Sequence, residues 1–496
     1  MRQILLFIIF FIATVAINHD VVFQDPILNY DDKSLLYPIE TIGGVKEYFQ
    51  EIISSEAIKD LQPVRDLTFL FNIKIHETFG HSLFHAVNAL ISTGIVFMCF
   101  KILLLLGICF RGAYLWSFLI LTHPLMVSSV GWISARKHSL AVFFLLFFFY
   151  ELLKKNELNL KSAIFYSLSI LSHPITAPVP FLLITLRRFR DLKFLYILLP
   201  FSIIFSANFY KSFAMGLNNT KFIEKGIFDI LSSAVLSFGR SYQLILFPMH
   251  QAISYFEGSI LNLMGILAFV VFQYISFKLV GFKKFCFFFT AQILCWVLTA
   301  PYFVNDTYLY SMMITIFVGI AYYTKKKPAK KRDFIIISII IIFSLKSVSY
   351  ASKWRSDKEI FLHSMTSENH PALGLYVASA MKADQQAAFL FLSESLQGVN
   401  ELKPANEQLA ASLLLRLDQI NESERVQVLE KYLIDKQLIH FTTGLIWLLG
   451  REGDREKAMP HLKAANASGP YRGPISKSLL LWCVKNDKKL CVDLGY

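Results

Sequence analysis

The run Asn29-Tyr30-Asp31-Asp32 is the first polar segment after an apolar N-terminal stretch, and a second hydrophobic stretch follows it. Adjacent carboxylates beside a membrane surface are costly to desolvate, so they persist either because they face water or because one takes a proton in a reaction. The cations and imidazoles that could face them are Arg136-Lys137 at the end of an apolar run, His123 and His173, each followed by proline, and Arg240. A carboxylate base opposed by cations can activate an acceptor hydroxyl while a phosphate departs. Ordinary roles compete with each assignment. An acidic pair in a loop is commonly just solvated, and Arg136-Lys137 at a span end can snorkel to the interface. His123 can mark a proline kink and His85 can satisfy a neighbouring span; for both, the structural role is preferred. Arg240 is a candidate for lipid phosphate from its position alone, and Asp20 is a lesser rival to Asp31.

These residues need a scaffold, and composition names its class. With 55% hydrophobic and 17% charged residues over 496 positions, the chain is a polytopic membrane protein rather than a soluble one. The net charge of +13 does not point to nucleic acid, because the cations gather in short loops between apolar runs. Loops assigned to the cytoplasm hold about eighteen Lys and Arg against about three acids. Cys99, Cys109, Cys286 and Cys295 lie in or beside apolar runs and read as small hydrophobes. Cys483 and Cys491 are eight positions apart in a polar region, which leaves a local disulfide open if that region is extracytoplasmic.

Residues 4–17 read as an uncleaved first helix, since no small-residue cleavage pattern follows. Residues 19–81 form a large extracytoplasmic loop with amphipathic helices around 45–53 and 64–73. Spans are expected near 82–107, 113–126, 138–153, 192–211, 259–280, 285–303, 308–323 and 334–350. The stretch 163–186 contains Pro174, Pro178 and Pro180 and reads as two short helices meeting at His173-Pro174. A single crossing there would put Arg187-Arg188-Phe189-Arg190 and every later basic loop outside. The expected fold is therefore all-α, with about eleven crossings over 1–350, the N-terminus cytoplasmic and the C-terminus outside. A second extracytoplasmic segment, 213–258, carries Arg240 and Tyr242 on interfacial helices.

Beyond Tyr350 the composition turns to that of a soluble helical domain, 351–496. The sequence Gly453-Asp454-Arg455-Glu456-Lys457-Ala458, then His461-Leu462, Ala464-Ala465 and Pro470, has the small-residue and terminal-proline spacing of a tetratricopeptide helix pair. Residues 384–396 and 424–433 fit degenerate copies or plain bundle helices equally well.

Several stretches together resemble bacterial membrane proteins with tetratricopeptide tails related to the TMTC-type O-mannosyltransferases, a branch of the GT-C glycosyltransferases. Asn29-Tyr30-Asp31-Asp32 resembles that family's first-loop acidic motif. Gln62-Pro63-Val64, Leu67-Thr68-Phe69 and Phe84-His85-Ala86-Val87-Asn88 resemble its "RPL…TF…HLVN". The run from His123 to His138 is similar to "HPLHVESVAWVAERKD", Leu171-Ser172-His173-Pro174 to "LSKP", and Thr307-Tyr308-Leu309 to the end of "DRYTYLP". The chain departs from the pattern at Ser128 for Glu, His138 for Asp, His173 for Lys, and Val304-Asn305 for Asp-Arg. The Arg is a bidentate phosphate donor that Asn cannot replace.

The resemblance implies a membrane glycosyltransferase that moves a sugar from a polyprenyl-phosphate donor to an extracytoplasmic protein or glycan acceptor. Asp31 or Asp32 would be the base, with Arg136, Lys137, His123, His173 and Arg240 around the donor. No cofactor is expected beyond the lipid-linked sugar itself, and no nucleic acid. The expected location is the inner or plasma membrane, with the bilayer and a protein bound through the tail as further partners. Two rivals stand beside this reading. One is a catalytically inactive membrane anchor for a tetratricopeptide scaffold. The other, a transporter, fits less well, because the polar groups gather at one face and the spans show no internal repeat.

Overall fold

The computed structural model describes residues 2–24, 36, 39, 44–51, 62–79, 83–185, 195–214, 227–248, 251, 260–280, 282–297, 309–325, 329–368, 378, 385–397, 404–433, 435–449 and 454–467. All regular elements among these residues are helical, and the chain divides into two units, 1–356 and 357–496.

The first unit contains α1 (Arg2–Ile17), α2 (His19–Val22), α3 (Val45–Glu51), α4 (Pro63–Phe79), α5 (Phe84–Leu105), α6 (Phe110–Leu121), α7 (Leu125–Gly131) and α8 (Arg136–Lys155). There follow α9 (Leu160–Ser172), α10 (Val179–Thr185), α11 (Leu195–Ala214), α12 (Ile227–Leu246), α13 (Ile260–Val280), α14 (Phe282–Val297), α15 (Tyr310–Thr324) and α16 (Ala329–Ala351). Short 3-10 turns at Ile133–Ala135, Pro174–Thr176 and Ser352–Arg355 link some of them.

Local chemistry sets several boundaries. Pro63 opens α4 at its first position, where a missing N–H costs nothing. Asn159 and Ser162 cap α9 reciprocally, each side chain accepting from the other's backbone N–H. At the end of α5, Gly107 adopts φ +78° and the amides of Gly107 and Ile108 bond back to the carbonyls of Leu104 and Leu103, a Schellman closure.

Helix-end contacts sort the first unit into two ends. At one end Lys101 donates to Gln3, Lys325 to the Leu106 carbonyl, and Arg111 and Arg332 both pair with Asp333. At the other, Arg355 pairs with Asp20 at 2.6 Å, Ser347 donates to the Thr122 carbonyl, and the Trp132 and Trp354 rings lie 6.4 Å apart. The buried core between them includes Phe10, Phe100, Trp116, Ile120, Met312 and Phe317. Outward faces are also apolar: Ile4, Ile12, Met264, Leu267, Phe334 and Leu345 are all more than half exposed. Such a belt suits hydrocarbon rather than water.

Among the described residues, Phe84–Leu105, Ile133–Lys155 and Lys330–Arg355 are long and apolar enough to cross a membrane. Phe110–Leu121 with Leu125–Gly131 makes a fourth if the pair counts as one span. The continuous span expected near 113–126 is thus replaced by a pair bent by 63° where Pro124 follows His123. The 3-10 turn after His173 similarly separates α9 from α10, so the elements between 160 and 185 are too short to cross singly. The segment expected to hold interfacial helices instead contains α12, which packs on α13 where Gly239 meets Gly265. Arg240 and Tyr242 are buried in that packing rather than laid on a membrane surface.

The second unit contains α17 (Asp357–Glu368), α18 (Gln385–Gln397), α19 (Pro404–Arg416), α20 (Glu422–Tyr432), α21 (Lys436–Leu449) and α22 (Arg455–Ala467). Ala458, Leu462 and Ala465 are fully buried, and a Cβ on Gly444 would meet the Leu462 side chain at 2.5 Å, so α21 and α22 approach closely. The described part of the pattern beginning at Gly453 is therefore a single helix, α22, and its partner is the helix before it. The cysteines at 483 and 491 lie outside the described residues.

Candidate functional site

Arg136 is the hub of the polar end. Its Nε donates to Asn88 Oδ1 at 2.7 Å, Nη1 to Asn72 Oδ1 at 2.5 Å and to the Thr68 carbonyl at 3.3 Å, and Nη2 to the Phe84 carbonyl at 2.8 Å. The guanidinium also lies over the Phe69 ring, 4.5 Å from its centre, and the residue is 0% exposed. Asn88 extends the network by donating to the Trp132 carbonyl. The planar fork thus ties α4 and α5 to the start of α8 through neutral acceptors, as a weakly hydrated cation can. This corrects the expectation that Arg136 meets a lipid phosphate at the membrane boundary: its donors are committed inside the protein.

His123 is likewise engaged inside the protein, in the structural role preferred for it. Its Nε2 lies 2.9 Å from the Ile245 carbonyl, its Nδ1 accepts from the Leu125 amide at 3.1 Å, and its ring packs against Phe317 and Phe343. It pins α12 to the α6–α7 bend. His85 Nδ1 likewise sits 2.8 Å from the Val130 carbonyl. Asp20 is engaged by Arg355. Arg240 is 2% exposed on α12.

Of the remaining candidates, His173 meets His138. The rings of His138, at the start of α8, and His173, at the end of α9, have centres 4.3 Å apart. Arg65 and Asp66 sit in the first turn of α4, buried, with Arg65 Nε donating to Asp66 Oδ1 at 2.6 Å and its Nη1 to Gln62 Oε1 at 2.9 Å. Tyr48 on α3 donates to the other carboxylate oxygen at 2.6 Å. Burial first, and then the Asp66 charge and hydrogen bond, push the Tyr48 hydroxyl far above its ordinary range, so it remains a proton donor. Tyr48, Arg65 and Asp66 escaped the sequence reading, although a charged pair beginning two residues after the helix-opening Pro63 is a signal.

The same two segments that carry the histidines wall an apolar cavity of about 180 Å³. Val142 lies one turn beyond His138, and Ile175 and Thr176 follow His173; Phe149, Phe288 and Ile314 complete much of the lining. The Ile175 amide donates to His173 Nδ1 at 3.1 Å, fixing that ring relative to the cavity wall. Paired imidazoles next to the wall of a hydrocarbon-lined space can donate to a polar group carrying an apolar chain. Among the described residues, no three His, Cys, Asp or Glu side chains could hold a metal ion together. Asp31, Asp32 and Asn305 lie outside the described residues.

Compared with protein-family models and with curated proteins, the chain matches none.

Proposed function

We propose that the chain is a GT-C-like membrane glycosyltransferase moving a sugar from a polyprenyl-phosphate donor to an extracytoplasmic acceptor. On this reading residues 1–350 cross the membrane about eleven times with the basic end in the cytoplasm. The carrying observation is the His138–His173 pair, on the two segments that also wall the apolar cavity. That arrangement suits a phosphate joined to a long hydrocarbon. Lys137 and His173 keep their donor-binding role, His138 joins them, and Asp31 or Asp32 supplies the base. The pairing of α21 with α22 through Gly444 and Leu462, with small Ala458 and Ala465 buried, supports a tetratricopeptide unit that binds acceptor or partner.

Purified protein offered a panel of polyprenyl-phosphate sugars should transfer from at least one. Asp31→Asn and Asp32→Asn should between them lower the rate by about two to four orders of magnitude with expression intact. Full function in cells from both single variants and the double variant would sink the enzyme reading. An alkaline phosphatase fusion at Lys358 should be active and one at Lys330 inactive, and the reverse would overturn the orientation.

The internal commitment of Arg136 and His123 favours a second reading: a membrane anchor that has lost its chemistry and serves a helical scaffold. Deletion of the residues after Tyr350 giving the null phenotype, with no transfer from any donor, would decide for it.

A further inference from the structure

At the basic end of the first unit, a groove of about 410 Å³ lies between α5, α8 and α9. Phe97, Lys101, Phe147, Tyr150, Lys161 and Phe165 form much of it. Phe147 stacks on Phe165 with ring centres 5.0 Å apart, giving the groove a flat aromatic wall. Lys101 Nζ crosses beside this wall, 5.4 Å from the Tyr150 ring centre, and donates to Gln3 Oε1 at 3.0 Å, which orients the ammonium. Lys161 is exposed at the rim, and Lys154 and Lys155 extend from the end of α8. Glu151 in the groove and Glu157 beside it offset only part of this positive charge. Ile164, also lining the groove, is 49% exposed and leaves an apolar edge facing outward.

We infer that this groove binds the headgroup of an anionic phospholipid, with the lysines on the phosphate and the aromatic wall along the first acyl carbons. The inference rests on the membrane reading of the first unit but not on glycosyl transfer, whose candidate histidine pair lies at the opposite ends of α8 and α9. Charge complementarity selects the anionic headgroup, because a basic pocket between helices at a membrane face attracts acidic lipid. The aromatic and aliphatic lining selects a lipid over a free phosphate, since a soluble ion leaves that wall in water.

Full-length protein in detergent micelles, titrated with phosphatidylglycerol or phosphatidylcholine and read by native mass spectrometry, tests this. Phosphatidylglycerol should bind at least about tenfold more tightly. Replacing both groove lysines, K101Q with K161Q, should weaken it about twentyfold, as expected for losing charge-assisted contacts. The control pair K154Q with K155Q removes the same charge outside the groove and should change affinity by less than about threefold. Free glycerol phosphate should not displace the lipid. Equal binding of the two lipids, equal loss in both variants, or displacement by glycerol phosphate would each overturn the proposal. Should the groove variant not fold, the lipid comparison and the displacement arm on the native chain still decide it.

Discussion

The two ends of the first unit treat positive charge in opposite ways. At the basic end Lys154, Lys155, Lys161, Lys330 and Lys331 are exposed, and Arg111 reaches Asp333 while remaining 71% exposed. At the polar end Arg136 is wholly enclosed and held by two side-chain amides and two backbone carbonyls. A solvated lysine contributes its charge and little to packing, so its loss should barely change stability. An enclosed guanidinium contributes a shape, and the residues around it are fixed by where its donors point. Charge at the first end stays in contact with solvent; charge at the second ties α4 and α5 to the start of α8.

The sharpest way to break this contrast is to remove the enclosed cation. Arg136→Leu leaves Asn72, Asn88 and the Thr68 and Phe84 carbonyls short of a partner, and at about 1–3 kcal/mol for each unsatisfied group the loss should reach at least about 3 kcal/mol. Arg136→Lys should not restore it, because a point ammonium cannot span that fork. At the other end Lys154→Gln should shift stability by no more than about 0.5 kcal/mol. Thermal unfolding in detergent measures all three. Equal effects at the two ends would mean that burial of Arg136 does not carry the polar end.

Next in size is the contact under the candidate site. Tyr48→Phe keeps the ring and removes the donor to Asp66, leaving a fully buried carboxylate oxygen short of its partner. A cost of about 1–3 kcal/mol is expected. It should be accompanied by weaker donor binding if Arg65, held by the same carboxylate, belongs to the site. An unfolding midpoint identical to the native chain's would remove Tyr48 from the network.

What could be read ahead of the structure follows the same division. The all-helical class, the helix near 82–107 and the convergence of basic loops were legible because each depends on residues close in sequence: an apolar run and the charges at its ends. The role of Arg136 was not, because its side-chain acceptors Asn72 and Asn88 stand 64 and 48 positions away and nothing local announces them. Tyr48 and Asp66, 18 positions apart, were missed for the same reason. His138 entered only as a departure from a family pattern, and its pairing with His173 depends on how α8 packs on α9. The kink at Pro124 was legible as a proline at a span end, while its size, 63°, depends on how the two helices pack.

Glycines offer a smaller comparison between the two ends. A Cβ on Gly131 would come within 2.8 Å of the Trp354 indole, so Gly131→Ala should cost about 1–3 kcal/mol by overpacking, and Trp354→Leu should recover part of it. A Cβ on Gly107 would meet Lys325 Nζ only at an ordinary 3.9 Å, but φ is +78°, so there Ala should cost about 1 kcal/mol through backbone strain. Asn, which tolerates that conformation, should be close to neutral at Gly107. If Gly107→Asn destabilises as much as Gly131→Ala, the basic end is as tightly packed as the polar end and the contrast fails.

The smallest effect concerns the second histidine pair, which lies in the C-terminal unit. His440 and His461 approach with Nδ1 atoms 3.2 Å apart on α21 and α22, half-buried rather than enclosed. Burial first, and then the His440 ring, lower the pKa of His461, so the folded unit prefers it neutral. Above the ordinary histidine pKa of about 6.5 both the folded and unfolded chains hold it neutral, and stability does not depend on pH through this residue. As pH falls through that value the unfolded chain takes up its proton first, so stability declines until the folded ring titrates as well. The α21–α22 pair should therefore unfold at a lower temperature at pH 5.5 than at pH 7.5. His461→Gln should lose less across the same interval, with only a modest difference because water screens a half-exposed ring. An equal pH-dependent loss in native protein and variant, followed in the full chain by hydrogen exchange of the α22 amides, would show that the pair does not carry it.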